Sequence, residues 1–301
     1  MALGYGNVYD NIGGAVREDL LDLLTNLSPK QTQLVTGLGT STAKSIRHEW
    51  LVDTLNSVKL NAQIEGQSIT YHNLTNPARL SNYTQIFKQG YKVADTERAV
   101  DEAGFEDRYN YEKTKALALL KNDMEYSLVR GSLASGSGTG ARQLRGIKAS
   151  LSLITAQSGV SLSETALNDY LQLVWDNTST EVNAIYCDMY MKRKISGFTA
   201  NSTKNVNADD RRLVNAVDVY EADAAKMVKL FAHRYVSISG TDTNHGLFGI
   251  NEDMFKIAYL RKPTTKEEDG TGADYSGGNI ITELTLENAH YNAGFWADQQ
   301  L

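Results

Sequence analysis

Apolar side chains recur along this chain with two periods, and the places where the period changes mark its elements. In residues 18–29, EDLLDLLTNLSP, the leucines Leu20, Leu23, Leu24 and Leu27 fall on one helical stripe. Glu18 and Asp19 suit a helix N-terminus and Pro29 ends the segment, which predicts a short amphipathic helix on an N-terminal arm. Residues 44–58 and 66–74 instead mix charged side chains with β-preferring ones, and polar, Gly-containing sequence separates them. They predict the two strands of a long hairpin. Both of its faces carry charge, because Arg47, Glu49, Asp53 and Lys59 stand near Ile46, Trp50 and Val52. A two-stranded ribbon of that kind builds no core of its own and needs a partner surface.

A further strand is predicted over NYTQIFKQGYKV, residues 82–93, and it leads into the strongest helical pattern, from about 106 to 130. Phe105, Tyr109, Ala116, Leu117, Leu120, Met124 and Leu128 recur at helical spacing without a proline, giving a spine of roughly 35 to 40 Å. From Lys148 the pattern is that of a compact α/β unit. Ser161 and Glu164 have capping-box spacing ahead of the apolar face Leu167, Tyr170, Leu171, Val174 and Trp175. NAIYCDMYM is a nearly continuous apolar run suited to a sheet interior, and VNAVDVY, KMVKLFAHRYV and DMFKIAYL are further strand candidates. Alternating helices and strands predict a mixed sheet covered by helices. A polar, Gly-rich stretch over 263–279 then precedes IITELTLENAH, where Ile280, Thr282, Leu284 and Leu286 alternate with Glu283 and Glu287 as in a half-buried strand.

Composition narrows the function classes. The chain has 301 residues, 41% of them hydrophobic, enough for one large or two moderate domains. Its formal charge is -6, without a basic block that would mark sequence-specific DNA binding. One cysteine, Cys187, allows neither an intramolecular disulfide nor a cysteine-rich zinc site and fits a reducing compartment. The first twenty residues lack the pattern of a secretory leader, no apolar run has membrane-spanning length, and no membrane association is expected. Only 3 prolines accompany 24 glycines, so turns rely on Gly, Asn and Asp.

GSGTGAR, residues 136–142, resembles a phosphate loop at first sight. Counted from Gly131, Ser137 and Gly138 occupy the places where a Walker loop needs Lys and Ser or Thr. The dinucleotide fingerprint misfits by one residue, since Gly136 and Gly138 are followed by Gly140 and Ala141. Both motifs also open a helix, whereas this loop follows the end of one, where the dipole repels phosphate. It reads as a joint between the spine and the α/β unit. His48, His72, His233, His245 and His290 show no metal-ligand spacing and are expected at the surface or an interface. Cys187 lies in an apolar strand as an inert thiol, and Asp209 and Asp210 compensate Arg211 and Arg212 in a polar loop. No nucleophile elbow occurs, and neither catalysis, cofactor nor metal is predicted.

Taken in order, EDLLDLLTNLSPKQT, HEWLVDTLNS, LSNYTQIFKQGYKVADTERAVDEAG, KALALLKNDMEYSLVRGS, RQLRGI, VDVYEADAAKMVKLFAHRYV and ENAHYNAG resemble the SU10-like family of tailed-bacteriophage major capsid proteins. No single motif carries the resemblance; the order of many segments does. It implies an α+β chain with the Hong Kong 97 capsid fold: an N-arm (1–42), an extended loop with flanking strands (43–94), and a peripheral domain with the spine helix (95–147). A mixed α/β axial domain with part of the peripheral domain (148–270) and a return strand with the C-terminus (271–301) complete it. The resemblance further implies hexamers and pentamers in an icosahedral virion shell that encloses double-stranded DNA without reading its sequence. Separate scaffolding, portal and decoration proteins and assembly in the bacterial cytoplasm go with it. An encapsulin-like cargo shell and a soluble α/β enzyme are the alternatives. Interface contacts are expected from Arg47, Glu49, Trp50, Asp53, Lys59, Glu65 and Arg79 on the hairpin, with Trp50 buried against the neighbour, and from Arg142 and Arg145 after the spine. Lys59 and Asn61 lie near the hairpin tip, and no cross-linking chemistry is assigned to them.

Overall fold

The computed structural model describes residues 32–300, apart from 54, 57, 70, 72–75, 101–106, 152, 158–160, 179, 199–217, 223–224, 238–243 and 270–272. The expected arm helix, His72 and the Asp209–Arg212 loop lie outside these residues. α1 (Gln33–Gly37) and β1 (Gly39–Thr42) lead into a ribbon of β2 (Arg47–Val52) and β3 (Ala78–Tyr83). β4 (Gln85–Ala94), α2 (Asp95–Ala99) and the long α3 (Arg108–Arg130) follow. Next come α4 (Ile147–Ser150), β5 (Leu153–Gln157), α5 (Glu164–Asn177), β6 (Ala184–Cys187) and α6 (Met189–Phe198). The chain finishes with β7 (Val219–Ala222), β8 (Ala225–Ala232), β9 (Asn244–Ile250), β10 (Phe255–Asp269), β11 (Tyr275–Asn288) and β12 (Gly294–Gln300).

Two sheets flank α3. One has four strands in the order β1-β10-β11-β4; the other has six, β5-β12-β9-β6-β8-β7, mixed parallel and antiparallel. α3 runs for 23 residues, about 35 Å, and starts where Asp107 accepts the Tyr109 amide at 2.9 Å. Its inner stripe, Ala116, Leu120, Met124, Leu128 and Val129, packs on Phe87 and Tyr91 of β4 and on Ile280, Leu284 and Leu286 of β11. The same core continues into the six-stranded sheet through Tyr186, Phe248 and Trp296, whose rings stack in series with centroids 5.1 Å apart. The opposite face of that sheet, with Ile185, Cys187, Val228, Leu230, Leu247 and Phe295, packs on Leu167, Tyr170, Leu171 and Val174 of α5 and Met191 and Ile195 of α6. Strand alternation therefore feeds two cores, one on each side of the sheet.

Several expectations are corrected. The strand that returns to β2 is Ala78–Tyr83, not residues 66–74: the register Trp50↔Leu80 turns Leu80 inward, and Asn82 is buried beside it. α5 is capped by Ser163, whose hydroxyl accepts the Ala166 amide at 3.2 Å, rather than by Ser161, and Trp175 points to solvent. The apolar run NAIYCDMYM divides at Asp188. β6 ends there and Asp188 caps α6, accepting the Met191 amide at 2.7 Å. Leu117 lies at the exposed margin of the spine stripe. The polar 263–279 stretch is no separator, because β10 and β11 pair antiparallel as far as Asp269↔Ser276. β11 is buried on both faces rather than half-buried, including Thr282, Glu283 and Thr285.

The glycine loop is a joint, as expected. Ala134 and Gln143 exchange backbone hydrogen bonds at 3.2 and 3.1 Å, and Gly136 and Gly138 take positive φ between them. The chain then returns against the end of α3 so closely that a Cβ on Gly146 would meet Gly131 N at 2.6 Å and Ser127 O at 2.8 Å.

Candidate assembly surface

The β2–β3 ribbon leaves the body at the end of β11, and polar contacts fix its root. His48 Nε2 lies 3.2 Å from Glu287 Oε2, which also accepts the Ser41 hydroxyl at 2.8 Å. The Trp50 indole donates to the Asn288 carbonyl at 2.9 Å and its ring leans on His48. Asn82 bridges four backbone groups, donating to Leu286 O and Arg145 O at 2.8 and 3.1 Å and accepting the amides of Arg145 at 2.8 Å and Tyr83 at 2.9 Å. Alternation along β2 sends His48, Trp50 and Val52 toward the body and Arg47, Glu49 and Leu51 outward.

Beyond Val52 the described residues of the connection form no regular secondary structure, apart from a turn at Ile64–Gln67 where Gly66 takes φ 78. Leu55, Val58 and Leu60 are 100%, 100% and 99% exposed, and Ile64, Ile69 and Tyr71 are nearly as open. Each such side chain gains about 1.5–3 kcal/mol on full burial, so the six together hold on the order of 10 kcal/mol that the single chain leaves unrealised.

The expected interface residues divide into two groups. Arg47 and Arg79 both pair with Glu49, at 3.0 and 3.3 Å across the ribbon's outer face, while Asp53, Lys59 and Glu65 stand exposed along the connection. Trp50, by contrast, is held against the chain's own β11. Arg142 is engaged internally, at 2.9 Å from Glu283, and Arg145 lies half-buried at the Asn82 bridge. Glu283 was not singled out by the sequence. It is 3% exposed and also accepts from Thr84 at 2.7 Å and Arg261 at 2.9 Å, so it ties β11, β10, the start of β4 and the joint after α3 together. Its place in an alternating polar register reads as a solvated face, and nothing local signals the converging arginines.

Of the histidines, His233 is corrected to a core position, 2% exposed with Nε2 at 2.8 Å from Glu125; His245 pairs with Asp188 under the Tyr190 ring. Cys187 is fully buried, as expected, and burial pushes its thiol up to about 12. Burial pushes Tyr109 up to about 12, and burial likewise raises Tyr186, Tyr235 and Tyr259. Among the described residues no helix is long and apolar enough to cross a membrane.

The ribbon and its connection thus carry unburied apolar side chains away from a two-sheet body braced by one long helix. The family model for the SU10 major capsid protein matches residues 3–298. The chain belongs to the SU10 major capsid protein family. The capsid protein also matches the capsid of a native GTA particle at 12% identity and TM-score 0.68, covering 99% of this chain and 100% of that one. It matches the Gordonia phage Cozz structure at 14% identity and TM-score 0.65, covering 99% and 96%. An encapsulin complex from Synechococcus elongatus follows at 9% identity and TM-score 0.58, covering 91% of each chain. At such identities the likeness shows the fold alone, which is the Hong Kong 97 capsid fold. No match is found among the curated proteins. The family makes the protein a major capsid protein and a component of the virion, and the encapsulin alternative is the less favoured one.

Proposed function

We propose that the capsid protein forms hexamers and pentamers of an icosahedral shell around double-stranded phage DNA, each copy laying its 53–77 connection across the next. One observation carries this reading: Leu55, Val58 and Leu60 are fully exposed on a ribbon whose root is rigidly anchored. Rigid anchoring directs the connection outward, and a surface of the next copy supplies the burial that the chain itself does not. Arg47, Glu49, Arg79, Lys59 and Glu65 form the polar rim of that contact. A wall with net charge -6 holds the phosphates of packed DNA weakly, which suits a container that must release its contents. Its role is structural rather than enzymatic. Scaffolding, portal and decoration proteins are separate chains, and assembly takes place in the cytoplasm of the bacterial host.

The test is size-exclusion chromatography with negative-stain microscopy on the wild type and on the triple variant Leu55→Ser, Val58→Ser, Leu60→Ser. The wild type gives capsomers, sheets or shells, and the variant stays monomeric with unchanged circular dichroism. A wild-type protein that remains a monomer, or a variant that assembles equally well, contradicts the proposal.

A further inference from the structure

One carboxylate lies wholly inside the protein on α3. Glu125 is 0% exposed, among Leu120, Met124, Leu128 and Val129 of the same helix, a position where an apolar side chain would fill the space without desolvating a charge. Its oxygens take three donors. Oε1 accepts the Leu34 amide at 2.7 Å and faces His233 Nε2 at 2.8 Å, and Oε2 accepts the Val35 amide at 2.9 Å. His233 Nδ1 accepts the Tyr235 amide at 3.2 Å, so the ring proton sits on Nε2 and points at Glu125. Five residues further along α3, Arg130 donates to the carbonyls of Tyr235, at 2.8 Å, and Val236.

The partners of Glu125 come from two segments, one before α3 in the sequence and one well after it. Leu34 and Val35 stand in the first turn of α1, whose amides lack acceptors inside the helix, and Thr32 supplies no side-chain cap there. Glu125 provides the acceptor instead, 91 residues away in sequence. His233 stands where the chain leaves β8 of the six-stranded sheet, and its amide donates to Cys187 O of β6 at 2.8 Å.

We propose that Glu125 is a coupling element through which the seating of the arm segment 33–38 and the conformation of 233–236 depend on each other. Without the Leu34 and Val35 amides, a buried carboxylate keeps one donor out of three, which is costly. The strain is relieved when Glu125 turns toward water or water enters the junction, and either movement breaks the His233 contact. Linkage makes the effect reciprocal, so displacing 233–236 also loosens α1. A ligand that captures the N-terminal arm is thereby felt at the six-stranded sheet. This inference concerns contacts within one chain and stands whether or not the 53–77 connection docks as proposed above.

The experiment is hydrogen exchange followed by mass spectrometry on the full-length protein, read in peptides covering 33–38, 233–237 and, as reference, 247–250. Leu34→Ala is expected to speed exchange at 33–38 and, by roughly five- to a hundredfold, at 233–237, leaving 247–250 unchanged. His233→Ala is expected to speed exchange at 33–38 in return. In a Glu125→Met background, which leaves no side-chain oxygen to join the Leu34 amide and His233, Leu34→Ala has no further effect on 233–237. Loss of protection confined to 33–38, equal loss in all three peptides, or an undiminished Leu34→Ala effect in the Glu125→Met background overturns the proposal. Should Leu34→Ala fail to fold, Leu34→Val gives the same reading at smaller amplitude.

Discussion

Replacing Glu283 by alanine is the sharpest test of how the four-stranded sheet, the joint after α3 and the ribbon root are held together. The carboxylate is 3% exposed and accepts from Thr84, Arg142 and Arg261. Removing it strands groups of very different exposure. Thr84 is fully buried, and an unsatisfied buried hydroxyl costs about 1–3 kcal/mol. The Arg142 side chain is 23% exposed, and loss of its charge-assisted hydrogen bond adds about 1.5–3 kcal/mol. Arg261, at 51% exposure, turns to water and contributes about 0–1 kcal/mol. Allowing for partial relaxation, Glu283→Ala is expected to destabilise by about 3–5 kcal/mol, at the level of a broken buried pair. Arg142→Ala falls below it at about 2 kcal/mol, and Arg261→Ala stays under about 1 kcal/mol. Urea unfolding followed by the fluorescence of the buried Trp296 measures all three. An Arg261→Ala effect as large as that of Arg142→Ala, or a loss under about 1 kcal/mol for Glu283→Ala, would refute the reasoning.

Two further predictions concern the interior. Cys187 keeps its proton to about 12 when folded, whereas an unfolded thiol releases it near 8.5, so the stability it contributes is complete below about pH 8.5 and is lost as pH rises toward 12. Between pH 8 and pH 10 the loss is about 2 kcal/mol from this thiol, Cys187→Ala flattens the dependence, and equal urea midpoints at the two values would count against it. Gly146→Ala places a methyl group into backbone atoms of Gly131 and Ser127, and the expected loss of about 1–3 kcal/mol, read as a lowered melting temperature, contrasts with no loss for Gly197→Ala, where the added carbon meets nothing within 4 Å.

Much of the body was legible because its signals are local. The spine follows from Leu120, Met124 and Leu128 at helical spacing, and β4 from its alternation. Trp175 and Leu117 sit at the edges of otherwise correct stripes, where one helical step decides between core and solvent. Asp188 hid a helix start inside an apolar run. β3 gives no signal of its own because ARLSNY is largely polar and its inward residues, Leu80 and Asn82, are satisfied by groups distant in sequence. The outer parts of β10 and β11 escaped for a related reason: a ladder of backbone hydrogen bonds holds their polar ends together without an apolar face. Glu125 and Glu283 were invisible as sites, since what defines each is the convergence of donors from remote segments. The connection was legible only in part: its β-preferring residues over 53–58 and 66–74 predict strands, whereas β2 ends at Val52 and the described residues of the connection beyond it form none.

The central claim, that this chain is a shell subunit which completes its apolar burial on a neighbouring copy, is tested most directly by cryo-electron microscopy of particles purified from cells expressing it with the other proteins of its virion. The account predicts closed icosahedral particles in which density for residues 53–77 lies across an adjacent subunit, with Leu55, Val58 and Leu60 enclosed there. Particles in which that connection folds back on its own chain, or a protein that forms no capsomers at all, would contradict it.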